Sequence, residues 1–498
     1  MNIKSVSYVL GWILRLESIF MLLPIVCALV YGEAQGFAYA AVAAVCLLIS
    51  FPLSGVRRRN VVFYAREGFV STSLSWILMS IFGALPFMIT GEIPRFIDAL
   101  FETVSGFTTT GASIMPDVEI MSHCSMLWRC FTHWIGGMGV LVFLLAVLPM
   151  VGGSNMHLMK AESPGPSVGK LVPKVRHTAR ILYMLYIALT VVQFVLLLLG
   201  RMDPFEALCT AFGTAGTGGF GFRNDSFASF SPYIQWVVTI FMILFGVNFN
   251  VYYLVLLRRF REAGRCEEMR WYLGIIAAAT LMICANIYDT ALTLEHNLRN
   301  AAFQVATVIT TTGYATADFD LWPTFSKVIL VSLMFIGACA GSTGGGMKVS
   351  RIVIAFKTFL RQMGQSLHPR AVRRVRFEDR EVEEDTVRAV SLYFAAVAFI
   401  FVASLLLVSL EGQDVVTSFT AVAATFNNIG PGLNAVGPTC NYGALTDLTK
   451  WVLIFDMLTG RLEIFPMLML FYSPLWRETA SRIRRERRRA AGVSHTDC

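Results

Sequence analysis

The sequence predicts an all-α integral membrane protein built from four like units behind two N-terminal spans. Three observations carry this. The 498 residues are 55% hydrophobic and only 15% charged, with mean hydropathy +0.61. Ten apolar stretches are each long enough to cross a bilayer. Between alternate stretches lies a short Gly/Thr-rich segment that returns four times. A soluble domain carries roughly 25% charged residues, so the composition excludes a soluble globular chain. It equally excludes a disordered chain and, despite the net charge of +8, a nucleic-acid binder.

A spanning helix needs about 20 mostly apolar residues. Such stretches are expected near 8–31, 36–55, 68–90, 124–150, 178–200, 231–257, 271–292, 324–360, 388–410 and 448–475. The first has no small-residue cleavage site and contains Arg15 and Glu17, so it reads as a retained helix and not a signal peptide. Barrel strands would alternate in hydropathy over about ten residues. Runs such as VVQFVLLLL at Val191–Leu199 do not alternate.

Most of the 41 Lys and Arg fall near the N-terminus or in the connections 56–67, 151–180, 258–270, 347–390 and 476–498. With ten spans these segments share one face, which the positive-inside rule makes cytoplasmic, with both termini inside. The tail containing Arg482, Arg484, Arg485, Arg487, Arg488 and Arg489 reads as a topology anchor on anionic lipid or as a docking surface. The cysteines show no CxxC or ligand spacing and the seven His are scattered. No resident metal site or cofactor is therefore expected. Cys124, Cys130 and Cys440 fall on the external side, where a disulfide could form.

The four recurring segments are FETVSGFTTTGAS from Phe101, LCTAFGTAGTGGFG from Leu208, FQVATVITTTGYA from Phe303 and FTAVAATFNNIGPG from Phe419. In the first three an apolar residue precedes a Gly by ten positions, giving Gly111, Gly218 and Gly313. In the fourth the step to Gly430 is eleven. The period of about a hundred residues is too long for a solenoid. It suits a unit of span, re-entrant half-helix, Gly-rich loop and span. Non-helical backbone at membrane depth is tolerated only where it is buried or lines a water-filled cavity. Four such loops about one axis make a ring of carbonyl oxygens that can replace a cation's hydration shell. The negative dipole ends of the half-helices favour a cation there.

The second span of the third unit is interrupted by Gly337–Lys348 (GACAGSTGGGMK). A P-loop would need Lys and Ser/Thr directly after Gly346, where Met347 and Lys348 stand. The stretch reads as a flexible constriction or as a passive kink. The last span carries Asp456, Arg461 and Glu463. Ionisable residues in spans usually face a cavity or a partner. Arg461 would either project its charge near a cation path or pair with a carboxylate, and Arg15 with Glu17 reads as packing or interface. Asp, Glu and His are too sparse at membrane depth for an enzyme.

With FTTTGAS, GTGGFGF, ITTTGY, NNIGPG and GSTGGGMK in this order and spacing, the sequence resembles the TrkH-like pore subunits of the bacterial Trk/Ktr potassium-uptake family over nearly its whole length. The two extra N-terminal spans favour the Trk type. The resemblance implies a potassium-channel-like pore in one polypeptide in the bacterial cytoplasmic (inner) membrane. It divides the chain into N-terminal spans (1–60), pore repeats (61–155, 156–262, 263–365 and 366–476) and a basic cytoplasmic tail (477–498). It implies a potassium filter at Thr109, Thr110 and Gly111; Gly216, Thr217 and Gly218; Thr311, Thr312 and Gly313; and Asn428, Ile429 and Gly430. It implies a gate at Gly341, Gly344, Gly345, Gly346 and Lys348, together with Arg461. The expected partners are a second copy in a homodimer, a cytosolic nucleotide-binding regulatory ring and membrane lipids. Each repeat keeps a single filter Gly where a potassium channel has TVGYG, which suggests looser discrimination among K⁺, Rb⁺ and Na⁺. The alternative is an alternating-access K⁺/H⁺ or K⁺/Na⁺ symporter. Such proteins often use inverted repeats, whereas these four units share one predicted orientation.

Overall fold

The computed structural model describes residues 2–54, 65–139, 175–368, 370 and 373–477. The later part of the expected 124–150 span, most of the basic connections 56–67 and 151–180, and the Arg-rich tail lie outside them. The chain opens with α1 (Ile3–Phe20) running into α2 (Leu22–Tyr31), then α3 (Gly36–Ser54). Arg15 and Glu17 do not pair. Arg15 bonds the hydroxyls of Ser50 and Ser54 on α3, while Glu17 is fully buried with no hydrogen-bond partner for its carboxyl among the described residues.

Four units come after these helices. The first is α4 (Ala65–Thr90), α5 (Phe96–Phe107) and α6 (His123–Gly137). The second is α7 (Val175–Leu199), α8 (Pro204–Gly216), α9 (Pro232–Phe245) and α10 (Phe249–Leu256). A short α11 (Phe260–Arg265) leads to the third: α12 (Glu267–Asn286), α13 (Leu294–Ile309), α14 (Thr324–Ile336) and α15 (Val349–Leu367). The fourth is α16 (Glu384–Ser409), α17 (Val415–Phe426), α18 (Asp447–Arg461) and α19 (Phe465–Phe471).

In each unit a full-length span is followed by a short helix that cannot cross and then by a non-helical segment. Three of the short helices start at built caps. The Asp203 carboxylate accepts the N–H of Phe205, the Thr293 hydroxyl that of His296, and the Asp414 carboxylate that of Thr417, each satisfying a donor the helix leaves open. Their small and hydroxyl residues are buried almost throughout α5 and α17, so the short helices lie inside the protein. Large apolar side chains such as Leu29, Phe37, Leu48, Phe399 and Leu406 instead form an exposed outer belt. Such a belt suits lipid, because contiguous exposed apolar surface of this extent is rare on soluble monomers.

Among the described residues six helices are long and apolar enough to cross a membrane, seven if α9 and α10 count as one span. Several of the ten expected spans are not continuous helices, since the second span of a unit breaks along its length. α6 ends at Gly137; α9 turns by 91° into α10 at Gly246–Asn248; α14 ends at Gly337; and α18 gives way to α19 through Glu463 and Ile464 at φ 58° and 67°. The interruption expected only in the third unit is thus shared by the second and fourth. The connection between α15 and α16 also holds a two-stranded hairpin, β1 (Arg376–Phe377) and β2 (Arg380–Glu381). Lys357 donates to its Arg376 carbonyl (2.8 Å), and its Glu378 N–H donates to Glu267 (3.2 Å).

Candidate functional site

The four short helices end in the same way. The N–H groups of Thr109, Thr217, Thr311 and Asn428 bond back three residues, to Gly106, Thr214, Val308 and Thr425. The N–H groups of Thr110, Gly218, Thr312 and Ile429 bond back five residues, to Ser105, Gly213, Thr307 and Ala424, at 2.8–2.9 Å. This pair of bonds is a Schellman cap, whose turning residue is normally Gly because it is left-handed. Here the turning residue is Thr109, Thr217, Thr311 or Asn428, at φ 54–58°. A β-branched residue in that region is a genuine outlier, costing on the order of 1–3 kcal/mol, and such strain clusters at functional sites.

Two residues on, the chain turns left-handed again at Gly111, Gly219, Gly313 and Gly430, with φ between 77° and 99°. These glycines hold four backbones against one another. A β-carbon on Gly111 would run into the carbonyl oxygen of Gly218, and one on Gly219 into that of Thr312. One on Gly313 would meet that of Ile429, and one on Gly430 that of Thr110. First touches second, second third, third fourth, and fourth first. The four segments therefore close a ring, with the carbonyls of Thr110, Gly218, Thr312 and Ile429 at matched positions and the carboxyl ends of four helices behind them.

The ring is braced by buried polar contacts. Thr108 and Thr110 share a hydroxyl bond of 2.8 Å, and Thr310 and Thr312 one of 2.7 Å. Asn428 donates to the Thr110 hydroxyl (3.0 Å) and to the Met457 carbonyl (2.9 Å). Tyr442 donates to the Gly430 carbonyl at 2.6 Å. The buried pair Glu102–Arg129 (2.6 Å) ties the segment after the first loop to the one after the second. Glu102 accepts from Ser113 and the Ile114 N–H, and Arg129 donates to the Gly221 carbonyl. A cavity of about 150 Å³ opens over the ring, lined by Gly111, Gly219, Gly313, Gly430, Arg129 and Tyr442 among others.

Against the other side lies the interrupted third-unit span. Gly345 N–H donates to the Thr311 hydroxyl (2.6 Å). A β-carbon on Gly344 would come within 2.9 Å of the Thr310 carbonyl oxygen, and one on Gly345 within 2.8 Å of that of Asn427. Lys348 is buried and donates to the Gly344 and Gly345 carbonyls. Arg461 reaches across from α18 and donates to the carbonyls of Thr343 (2.9 Å), Gly136 (2.6 Å) and Gly137 (3.0 Å), joining the breaks of three units. Glu463 pairs with Arg351 instead, and Arg351 also stacks on Tyr393. Glu268, on α12 and nearly inaccessible, holds both ends of the loop. One of its oxygens accepts from the Ala340 N–H (2.7 Å) and the Ser350 N–H (3.1 Å).

The model of the family described as TrkH, a cation transport protein, matches residues 36–276 and 271–478. The Trk system potassium uptake protein TrkH of Salmonella typhimurium is 37% identical over 489 residues, covering 96% of this chain and 100% of that one. TrkG of Escherichia coli, another Trk system potassium uptake protein, is 33% identical over 486 residues, covering 96% and 99%. The crystal structure of the potassium transporter TrkH from Vibrio parahaemolyticus matches with TM-score 0.84 at 32% identity, covering 96% of this chain and 100% of that one. The chain belongs to the TrkH family. It is thus one of a family of transport proteins and not an enzyme.

In this TrkH-family chain the residues singled out from sequence come together: Thr109–Gly111, Thr217, Gly218, Thr311–Gly313 and Asn428–Gly430 all stand in the ring, and Gly341–Lys348 with Arg461 directly against it. One register is corrected. The sequence pattern aligned Gly218 with Gly111, but the cap bonds and the positive φ align Gly219, so the second segment is Thr217-Gly218-Gly219 and Gly216 belongs to α8. The fourth segment, off by one in the sequence pattern, is in register. Glu268, the Glu102–Arg129 pair and Arg351 were missed. Arg129, Glu268 and Arg351 are charged residues within or close to the ends of expected spans, and Glu102 stands in the first recurring segment, which is signal enough to mark such positions. The nine described cysteines are free. Cys440 is exposed, while Cys124 and Cys130 are buried in α6.

Proposed function

We propose that this chain carries K⁺ into the cell through a single axial pore whose filter is the four-segment ring. The observation that carries this is the cyclic closure of four strained, Gly-pinned backbones around matched carbonyl oxygens. Such an array substitutes for the hydration shell of a monovalent cation. The cargo would be coordinated by backbone oxygens of Thr109–Gly111, Thr217–Gly219, Thr311–Gly313 and Asn428–Gly430, with Thr hydroxyls available as a further oxygen layer. An inside-negative potential contributes about 2.3 kcal/mol per 100 mV for each charge moved inward, so concentrative uptake needs no enzymatic step.

The Gly-rich loop is the gate, and Arg461 is its latch. The loop lies beneath the ring with its carbonyls already engaged by Lys348 and Arg461, and the Arg461 guanidinium there opposes passage of a cation. Opening requires the loop to leave. The chain sits in the bacterial inner membrane with both termini in the cytoplasm, as a homodimer. Its pore repeats are 61–155, 156–262, 263–365 and 366–476, following the N-terminal spans of 1–60. The relatives are named as components of Trk systems, in keeping with a separate cytosolic nucleotide-binding ring. The hairpin at Arg376–Glu381, tied to Glu267 beside the gate-holding Glu268, offers that ring a place to act. The basic tail beyond 477 contacts anionic lipid.

The test is cation flux by the purified chain in liposomes at a set voltage. Current reversing at the Nernst potential of K⁺ alone supports the pore. A reversal that shifts with pH or Na⁺ establishes the symporter instead. Absence of K⁺ preference removes the filter.

A further inference from the structure

The second unit breaks the pattern of the ring, and the break has a physical cause. In the first and third units a hydroxyl pair, Thr108–Thr110 and Thr310–Thr312, supports the segment from behind. The matching positions of the second unit are Gly216 and Gly218. The missing side chains are replaced by one residue of another unit, His133 on α6. A β-carbon on Gly218 would fall into the His133 imidazole, and one on Gly216 onto the His133 backbone. His133 is fully buried. Its Nδ1 lies 2.7 Å from the Gly106 carbonyl oxygen, and its Nε2 accepts the Phe220 N–H at 3.2 Å. Its ring also packs on Phe220, centroids 4.2 Å apart. These partners define a neutral imidazole protonated on Nδ1, a donor at one end and an acceptor at the other.

We infer that His133 is a positioning residue for ion selection: a polar wedge by which the first unit holds the second filter segment at the radius the Thr pairs set in the first and third units. This rests on the filter reading above. It explains why the second segment alone reads Gly-Thr-Gly-Gly. The glycines there make room for His133 as well as for the neighbouring backbone.

The experiment is Rb⁺ and Na⁺ uptake by the full-length chain in liposomes at a set voltage. His133→Ala should lower the Rb⁺/Na⁺ ratio about tenfold, the order expected when one buried hydrogen bond is lost. His133→Gln, which also donates and accepts, should keep the ratio within about threefold. Gly218→Thr alone should abolish uptake, because its side chain meets the ring, whereas His133→Ala with Gly218→Thr should recover part of the lost ratio. That non-additivity is the signature of a shared space. An unchanged ratio in His133→Ala, or a double variant no better than its parents, overturns the inference. Should His133→Ala fail to reach the membrane, His133→Met fills the volume without either hydrogen bond. A Met variant as selective as the Gln variant overturns it equally. A wild-type chain that itself shows no Rb⁺/Na⁺ preference defeats the filter reading and this inference with it, whereas a selective wild type with an unchanged His133→Ala ratio defeats this inference alone.

Discussion

The ring and the layer beneath it are built from the same four units in opposite ways. In the ring the four units share one backbone course, whatever their side chains: the same two cap bonds, the same left-handed turn and a glycine two residues on. In the layer of broken second spans no two units agree. One bends by 91°, one unwinds into a twelve-residue loop, and one turns through Glu463 and Ile464. The filter proposed above would account for this, because coordination of one ion on an axis demands equivalent contributions from all sides. The barrier proposed for the lower layer needs only one obstruction, for which a single loop and a single Arg suffice, leaving the other units free to differ.

This contrast can be broken experimentally, most severely in the ring. Gly313→Ser places a side chain against the Ile429 carbonyl and should cost most of the K⁺/Na⁺ preference. Preserved selectivity in liposome flux would falsify the ring as the filter. In the lower layer, Arg461→Ala or deletion within Gly344–Gly346 should raise flux several-fold while leaving ion preference unchanged. Flux equal to wild type removes both from the gate, and altered preference merges the two layers into one function. Glu268→Ala frees the N–H groups of Ala340 and Ser350 and should destabilise the chain by about 1–3 kcal/mol. Its basal leak should exceed that of Glu268→Gln, which still accepts both bonds; equal leaks in the two variants would show that the carboxylate does not hold the loop.

The mildest effect lies at the entrance to the ring. The side chain and backbone N–H of Thr417 hold the Asp414 carboxyl below its ordinary range. A depressed folded value means that the cap's contribution is present above the ordinary carboxylate range and fades as pH falls through the folded one. Asp414→Ala should therefore cost about 1 kcal/mol at neutral pH and little in strong acid. Thermal unfolding in detergent at the two pH values checks this, and an equal cost at both would assign the loss to something other than the carboxylate.

Much of the ring was legible in the sequence, because its demands are local. A left-handed turn calls for Gly, and four segments sharing that demand stand out. The register of the second segment was not legible. In GTAGTGGFG several glycines are available, and spacing from Leu208 does not say which one turns left-handed. The cap bonds to Gly213 and Thr214 decide it. The broken spans escaped for the opposite reason. Gly136 and Gly246 sit among mostly apolar neighbours, so hydropathy runs on where the helix stops, and past Gly460 the apolar run resumes after Glu463. Gly136 and Gly460 stand where a β-carbon would strike the Phe107 and Phe426 carbonyls at the ends of short helices. That close approach is a tertiary demand with no imprint on periodicity.

The interruption at Gly337–Lys348 also bears on how the chain enters its membrane. A segment released into lipid by itself must satisfy its own backbone and bear its own charges. α14 is only 13 residues long, and the loop and first turn of α15 bring Lys348 and Arg351 to membrane depth, each costing about 2.5–3.5 kcal/mol at the centre of an isolated helix. Lys348 is answered within its own loop by the Gly344 and Gly345 carbonyls, whereas Arg351 is answered by Met347 and by Glu463 in the turn after α18. The last of these is synthesised more than a hundred residues later. Arg351 therefore has no carboxylate to pair with until the fourth unit has been made, so the packing of the third unit depends on a residue of the fourth.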